Sequence, residues 1–295
     1  MNTSKILTNI FHSSIKIPIN DETKIVMMSD CHRGDGSWAD AFSKNQNICF
    51  AALNRYYNDN FTYIELGDGD ELWDNKHMDS IVDNHKDIFR LLSKFYDAGR
   101  FFSLYGNHDM RKKNEIFVKN NFSSYFHSRL KKQIPLFTDI KFHEGIVLEH
   151  EVTKDKMFLV HGHQMDFKNY RIWKLSSALF RYLWKPLALF GIKDPTSTAK
   201  NYIEKEKVDR RLIRWIKNND QVLVAGHTHR PMFPMPNDSK YFNVGSCVHP
   251  RCITALEIEK GDVVLVRWGI KTKDDGTLYI RRDIIAGPTA ICEYF

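Results

Sequence analysis

Short, continuous apolar runs recur along the chain, at 24–29, 61–66, 101–105, 156–160, 221–225, 241–244, 252–258 and 262–268. They are rich in β-branched and aromatic residues, and most are followed closely by Gly, Asp or His. An unbroken apolar run, unlike an alternating one, predicts a strand covered on both faces. The stretches 38–58 and 80–99 between them read as helices. Strand alternating with helix predicts a layered α/β sheet. A break at Glu259-Lys260-Gly261-Asp262 predicts a hairpin that adds antiparallel strands. Residues 166–219 interrupt the strand pattern and read as mostly helical, an insertion placed on top of a single domain spanning 1–295. No repeat or low-complexity tract is present, and the pattern beyond Lys271 predicts little.

Composition refines this picture. With 295 residues, 42% of them hydrophobic, the chain can bury one large core. The first 21 residues lack an apolar stretch followed by a small-residue cleavage site, so no secretory signal is expected. The greasy stretch 175–192 is interrupted by Arg181, Lys185 and Pro186, which makes it a poor bilayer span. Cys31, Cys49, Cys247, Cys252 and Cys292 show no CxxC spacing, and an odd, scattered set suggests reduced thiols in the cytoplasm. The net charge of +7 favours anionic partners, namely phosphate esters, nucleic acid or acidic lipid. Between 168 and 217 thirteen Lys or Arg face four Asp or Glu, so this one segment carries the basic character.

The ends of the predicted strands carry the chemistry. They read Ser29-Asp30-Cys31-His32, Gly67-Asp68, Gly106-Asn107-His108-Asp109, His161-Gly162-His163 and Gly226-His227-Thr228-His229. In open α/β sheets, sites form at the carboxyl edges of strands. Asp30 and His32 are two apart, so near a strand they point to one side and Cys31 to the other; His227 and His229 repeat that spacing. Each motif alone is common, and a buried histidine is more often a satisfied core group than a ligand. Their joint occurrence in this order points to a metal site. Carboxylate, amide and imidazole donors without thiolate suit Mn, Fe or Zn better than Ca, with manganese favoured. Seven ligands, Asp30, His32, Asp68, Asn107, His161, His227 and His229, exceed one tetrahedral site and suit two divalent ions sharing a carboxylate.

The order D-x-H, G-D, G-N-H-D, H, G-H-x-H resembles the calcineurin-like metallophosphoesterase family over roughly 25–244. The resemblance implies a four-layer α/β/β/α sandwich of mixed sheets, with the metals at one edge. It implies Asp30, His32 and His229 on one metal, Asn107, His161 and His227 on the other, and Asp68 as the bridge. It also implies His108 as the catalytic histidine, with Asp109 as the acid that orients it. His108 follows Asn107, so its side chain leaves the ligand face yet stays near enough to protonate a leaving alkoxide.

Substrate expectations rest on the neighbourhood of these motifs. Arg33 is read either as a bidentate phosphate donor or as a member of a surface salt bridge. His163 is expected to line the site without coordinating. In the insertion, Trp173 and Trp184 stand among apolar residues interleaved with Arg171, Lys174, Arg181 and Lys185. These residues could pack as a plain helical lid. They could also hold an amphiphilic phosphate substrate or rest on an acidic membrane surface, which would make a cytoplasmic protein membrane-peripheral. Arg33, His163, Trp173, Arg181 and Trp184 are the substrate-binding candidates. A similar insertion is found in the UDP-2,3-diacylglucosamine pyrophosphatase branch. A DNA nuclease gripping a phosphate backbone, a Ser/Thr phosphatase-like monoesterase and a catalytically dead binding scaffold are the alternatives. The last should have lost ligands, and none of the seven is missing.

Overall fold

A computed structural model describes residues 3–127, 129–166, 170–184, 187 and 202–295. The predicted strands are present: β2 (Ile25–Met28), β3 (Thr62–Leu66), β4 (Phe101–Leu104), β9 (Lys156–Val160), β10 (Val222–Ala225), β11 (Tyr241–Asn243), β12 (Cys252–Glu259) and β13 (Asp262–Thr272). The remaining strands are β1 (Ile15–Ile19), β5 (Ser124–His127), β6 (Lys132–Pro135), β7 (Phe142–His143), β8 (Gly145–His150) and β14 (Leu278–Ala290). They divide into a seven-stranded sheet of order β14-β13-β12-β2-β3-β4-β7, a five-stranded sheet of order β1-β8-β9-β10-β11, and the small pair β5-β6.

Strands β2, β3, β4 and β7 run parallel, while β12, β13 and β14 extend that sheet antiparallel. The predicted hairpin is there, with Glu259 opposite Asp262. The tail that predicted little becomes β14, because its pairing partner β13 supplies a register that no local pattern encodes.

Alternation along β2 shows why its sequence is apolar throughout. Ile25 and Met27 face a core between the two large sheets, with Ile64, Leu66, Leu159 and Val224. Val26 and Met28 face the opposite core, under the helices Gln46–Asn58 and Lys86–Asp97. On the far side of the five-stranded sheet, the helices Thr3–Ser13 and Tyr202–Asn219 close a third core through Leu7, Leu212, Trp215 and Ile216. The layers are therefore α/β/β/α, as the resemblance implied.

Two helices differ from expectation. The run 38–58 is helical from Gln46 to Asn58, after a 3₁₀ turn over Phe42–Lys44. The run 80–99 is two helices, Met78–Asn84 and Lys86–Asp97, broken at His85. The buried His85 ring lies 2.8 Å from Asp40 and 2.9 Å from Gln46, and these tertiary partners hold the break.

In the insertion, the described segments are helical: Trp173–Leu179, a π-helical turn Phe180–Trp184, and Tyr202–Asn219. The last of these is a structural layer of the sandwich more than a lid, since Val208, Leu212, Trp215 and Ile216 are buried on the sheet. Residues 167–169, 185, 186 and 188–201 lie outside the described residues. Among the described residues no helix is long and apolar enough to cross a membrane, and the five cysteines are free.

Candidate metal centre

The ends of β2, β3 and β4 in one sheet meet the ends of β9 and β10 in the other. Backbone hydrogen bonds stitch the loops together: Asp30 N donates to Gly67 O (3.1 Å), His32 N to Asp68 O (2.9 Å) and Gly226 N to His161 O (3.0 Å). Side chains add to this, with His227 N donating to Asp30 Oδ2 (2.9 Å) and His108 N to Asp68 Oδ1 (2.8 Å). The approach requires glycine at two points. A Cβ on Gly106 would sit 2.2 Å from Asp68 Oδ1, and one on Gly67, at φ +93°, would meet the His161 ring at 2.8 Å.

Among the described residues three groups of donor atoms result. Asp30, His32 and His229 converge in one and Asp68, His161 and His227 in another, while His32, Glu71 and His108 form a third that shares His32 with the first. His229 Nε2 lies 2.9 Å from Asp30 Oδ1, and His161 Nε2 lies 3.2 Å from Asp68 Oδ2. Asn107 Oδ1 and His227 Nε2 are buried without a hydrogen bond among the described residues. Buried polar atoms left unpaired are costly, and cations would satisfy both. Asp30, His32, Asp68, His227 and His229 also have positive φ, between 50° and 64°. Left-handed backbone at five non-glycine residues stores strain, as is common where a site imposes geometry. The donor set therefore fits two divalent ions.

The tautomer of His161 is set from behind. Its Nδ1 donates to the Leu66 carbonyl at 2.8 Å, which leaves the Nε2 lone pair facing the cluster. Burial opposes charge on this ring, but Asp68 and Asp30 push its pKa up to about 9. Burial likewise works against the Asp30 carboxylate, yet His229 and His161 hold it well below the usual carboxylate range.

His108 sits beside the clusters, its ring edge-on to His32 at 4.6 Å. Asp109 does not orient it. Asp109 Oδ1 accepts from Gly106 N (2.6 Å), and Oδ2 accepts from Gly69 N (3.0 Å) and Lys112 Nζ (2.6 Å). Asp109 is fully occupied in holding the β3 and β4 loops together. The partner of His108 is Glu71, whose carboxylate lies 2.8 Å from Nδ1 and also 3.1 Å from Nδ1 of His32. Burial disfavours the charge on Glu71, but His108 and His32 draw its pKa down to about 2. The acidic run Asp68-Gly69-Asp70-Glu71 was the available signal for this residue, since three positions beyond Asp68 brings a side chain back to the same loop.

Neither reading of Arg33 holds as made: the guanidinium is in a salt bridge, but a buried one in place of a surface pair, and it is not a phosphate donor. Arg33 is 1% exposed. Its guanidinium donates to both Glu65 oxygens (2.7 and 2.9 Å) and to Asp70 (2.8 Å). Lys112 joins the same buried network through Asp70 (2.7 Å) and Asp109. These ions support the floor of the site and present no donor to a substrate.

His163 is fully buried beside His161 and His227, with both ring nitrogens unpaired, and burial and those two rings push its pKa well down. Asp166 Oδ2 stands 3.7 Å from His227 Nε2. On the other flank Trp73 stacks on His108 at 4.0 Å and donates from Nε1 to the Asn107 carbonyl at 2.7 Å. Arg181 reaches this flank, whereas the ring contact of Trp173 is with Lys174 in its own helix. The side chain of Trp184 lies outside the described residues.

Comparison with known proteins follows the same lines. Among solved structures the chain is similar to vacuolar protein sorting 29 from Cryptosporidium parvum (14% identity, TM-score 0.40, covering 90% of this chain and 98% of that one). It is also similar to Vps29 from Chaetomium thermophilum (10% identity, TM-score 0.43, covering 90% and 96%). A search among curated proteins finds no match. The model of the calcineurin-like phosphoesterase family matches residues 23–231, a span that holds all seven candidate ligand residues and His108. The chain belongs to the calcineurin-like phosphoesterase family and is a metal-dependent phosphoric ester hydrolase.

Proposed function

We propose that this protein hydrolyses a phosphoester or pyrophosphate bond at a dinuclear centre, with an amphiphilic phosphodiester of the UDP-diacylglucosamine type as its substrate. The convergence of two ligand clusters beside a histidine held by Glu71 carries the reading. Two divalent ions, manganese in this proposal, would supply Lewis acidity and lower the pKa of an attacking water.

The chain's own residues do the rest. Asp30, His32 and His229 would hold one ion, Asn107, His161 and His227 the other, and Asp68 both. His161 is fixed in the liganding tautomer by the Leu66 carbonyl. His108 Nδ1 is committed to Glu71, so Nε2 is the atom left to give a proton to the leaving oxygen. Glu71 holds the plane of the ring. Trp73 covers one ring face and keeps water from it.

Support for an amphiphilic substrate comes from the described part of the insertion. Leu175, Leu179, Tyr182 and Leu183 are exposed there, with Lys174 just before them and Arg181 among them. An apolar face rimmed by cations suits acyl chains joined to a phosphate, or an acidic membrane surface holding such a lipid.

A panel with manganese-loaded protein tests the reading: UDP-diacylglucosamine, cyclic nucleotides, single-stranded DNA and a phosphopeptide. Preference for the first, lost on replacing Trp173 and Trp184, supports it. Cleavage of DNA alone, or of the phosphopeptide alone, overturns the substrate assignment. No hydrolysis of bis-p-nitrophenyl phosphate with manganese overturns the metal chemistry.

A further inference from the structure

The insertion reaches the metal centre on the side of His108. Phe180 sets its edge against both His108 and Trp73, with ring centroids 5.8 Å away in each case. The next residue, Arg181, donates from Nη2 to the Leu72 carbonyl at 3.1 Å. Arg111, two residues beyond Asp109, donates from Nη1 to the Lys76 carbonyl at 2.7 Å. One short loop, 72–76, therefore anchors both guanidiniums, and its Trp73 is the residue stacked on His108.

Both arginines are half-buried. Arg181 Nε is shielded from water and makes no hydrogen bond. Burial and the neighbouring Arg181 push the pKa of Arg111 down. Two like charges held together in a partly desolvated place repel, and an anion between them relieves that repulsion. The planar fork of each guanidinium matches phosphate oxygens in particular.

His108 marks the end of the site where the leaving group departs. Resting on the hydrolase reading above, we propose that Arg111 and Arg181 form a second anion subsite, which takes a negatively charged group on the leaving portion of the substrate. A phosphoanhydride meets this requirement, because its leaving group is itself a phosphate. A simple alcohol leaving group does not.

The subsite can be read without metal, by titrating inorganic pyrophosphate into EDTA-treated protein in a calorimeter. Binding should be measurable, and Arg111→Gln with Arg181→Gln should raise its Kd by at least about tenfold, the scale of lost charge-assisted hydrogen bonds. An unchanged Kd, or no binding to the unsubstituted protein, overturns the proposal. Arg181→Lys, which keeps the charge and loses the fork, should give an intermediate Kd if folding is intact; a Kd as weak as that of the double variant would exclude charge as the cause. In the manganese-loaded enzyme, the double variant should lower kcat/KM for diadenosine diphosphate relative to bis-p-nitrophenyl phosphate by a similar factor. Failure of the hydrolase reading is distinguishable: it would appear as no manganese-dependent hydrolysis of either compound, while the pyrophosphate titration still reports on the arginine pair.

Discussion

The carboxylate of Glu71 lies 2.8 Å from Nδ1 of His108. The same carboxylate is 3.1 Å from Nδ1 of His32, so one acidic side chain orients a candidate acid and a candidate ligand together. Glu71→Ala should therefore lower turnover of bis-p-nitrophenyl phosphate by roughly 10–100-fold, the usual effect of losing an orienting partner. Elemental analysis should show reduced manganese affinity in the same variant, since His32 also loses its partner. Wild-type kinetics in Glu71→Ala would refute the pairing.

His108 and Asp109 are adjacent but should behave differently. His108→Ala should cut kcat by roughly 10²–10⁴-fold with metal content retained. Asp109→Asn removes a negative partner from the buried Lys112 and weakens the loop contacts to Gly69 and Gly106. Its expected phenotype is a loss of about 3 kcal/mol of stability, the scale for breaking a buried ion pair. Denaturant melts and kinetics on the two variants separate these outcomes. A catalytic defect in Asp109→Asn with an unchanged midpoint would restore Asp109 as a partner of the chemistry.

Arg33 offers a contrast of the same kind. Arg33→Ala would leave Glu65 and part of Asp70 buried without their cation, at a cost of about 3–5 kcal/mol. A raised KM in a variant of undiminished stability would instead show that the guanidinium reaches substrate.

The pKa of His161, raised to about 9, sets opposite pH trends for metal-free and metal-loaded protein. In the metal-free chain, the protonated ring paired with Asp68 and Asp30 contributes stability fully below the unfolded value of roughly 6.5. That contribution is lost as pH rises through about 9. A metal takes only the deprotonated ring, so manganese uptake should release protons below that pH and tighten as pH rises towards it. Calorimetry in buffers of different ionisation enthalpy counts the protons. Metal binding that releases none at pH 7 would contradict the raised value.

Much of the centre was legible along the chain because its ligands are local. Asp30 and His32, or His227 and His229, stand two apart at strand ends, and a strand's twofold alternation alone puts each pair on one side. The continuous apolar runs were equally readable, since burial on both faces leaves no polar position to break them. The sequence by itself therefore determined the layered α/β class and the seven ligand candidates, and its family resemblance implied His108 for proton transfer. Tertiary structure decided what depends on residues far apart in sequence. The partner of His108 is Glu71 in place of its neighbour Asp109, because the loop after β3 folds over the end of β4 while Asp109 turns inward to Lys112 and two backbone amides. Arg33 became part of the floor because Glu65 and Asp70, more than thirty positions on, meet it there. The left-handed backbone at five candidate ligands, the tautomer of His161 and the anchoring of Arg111 and Arg181 on one loop have the same origin. Hydrogen bonds and charge pairing act through space at about 3 Å, whatever the separation along the chain.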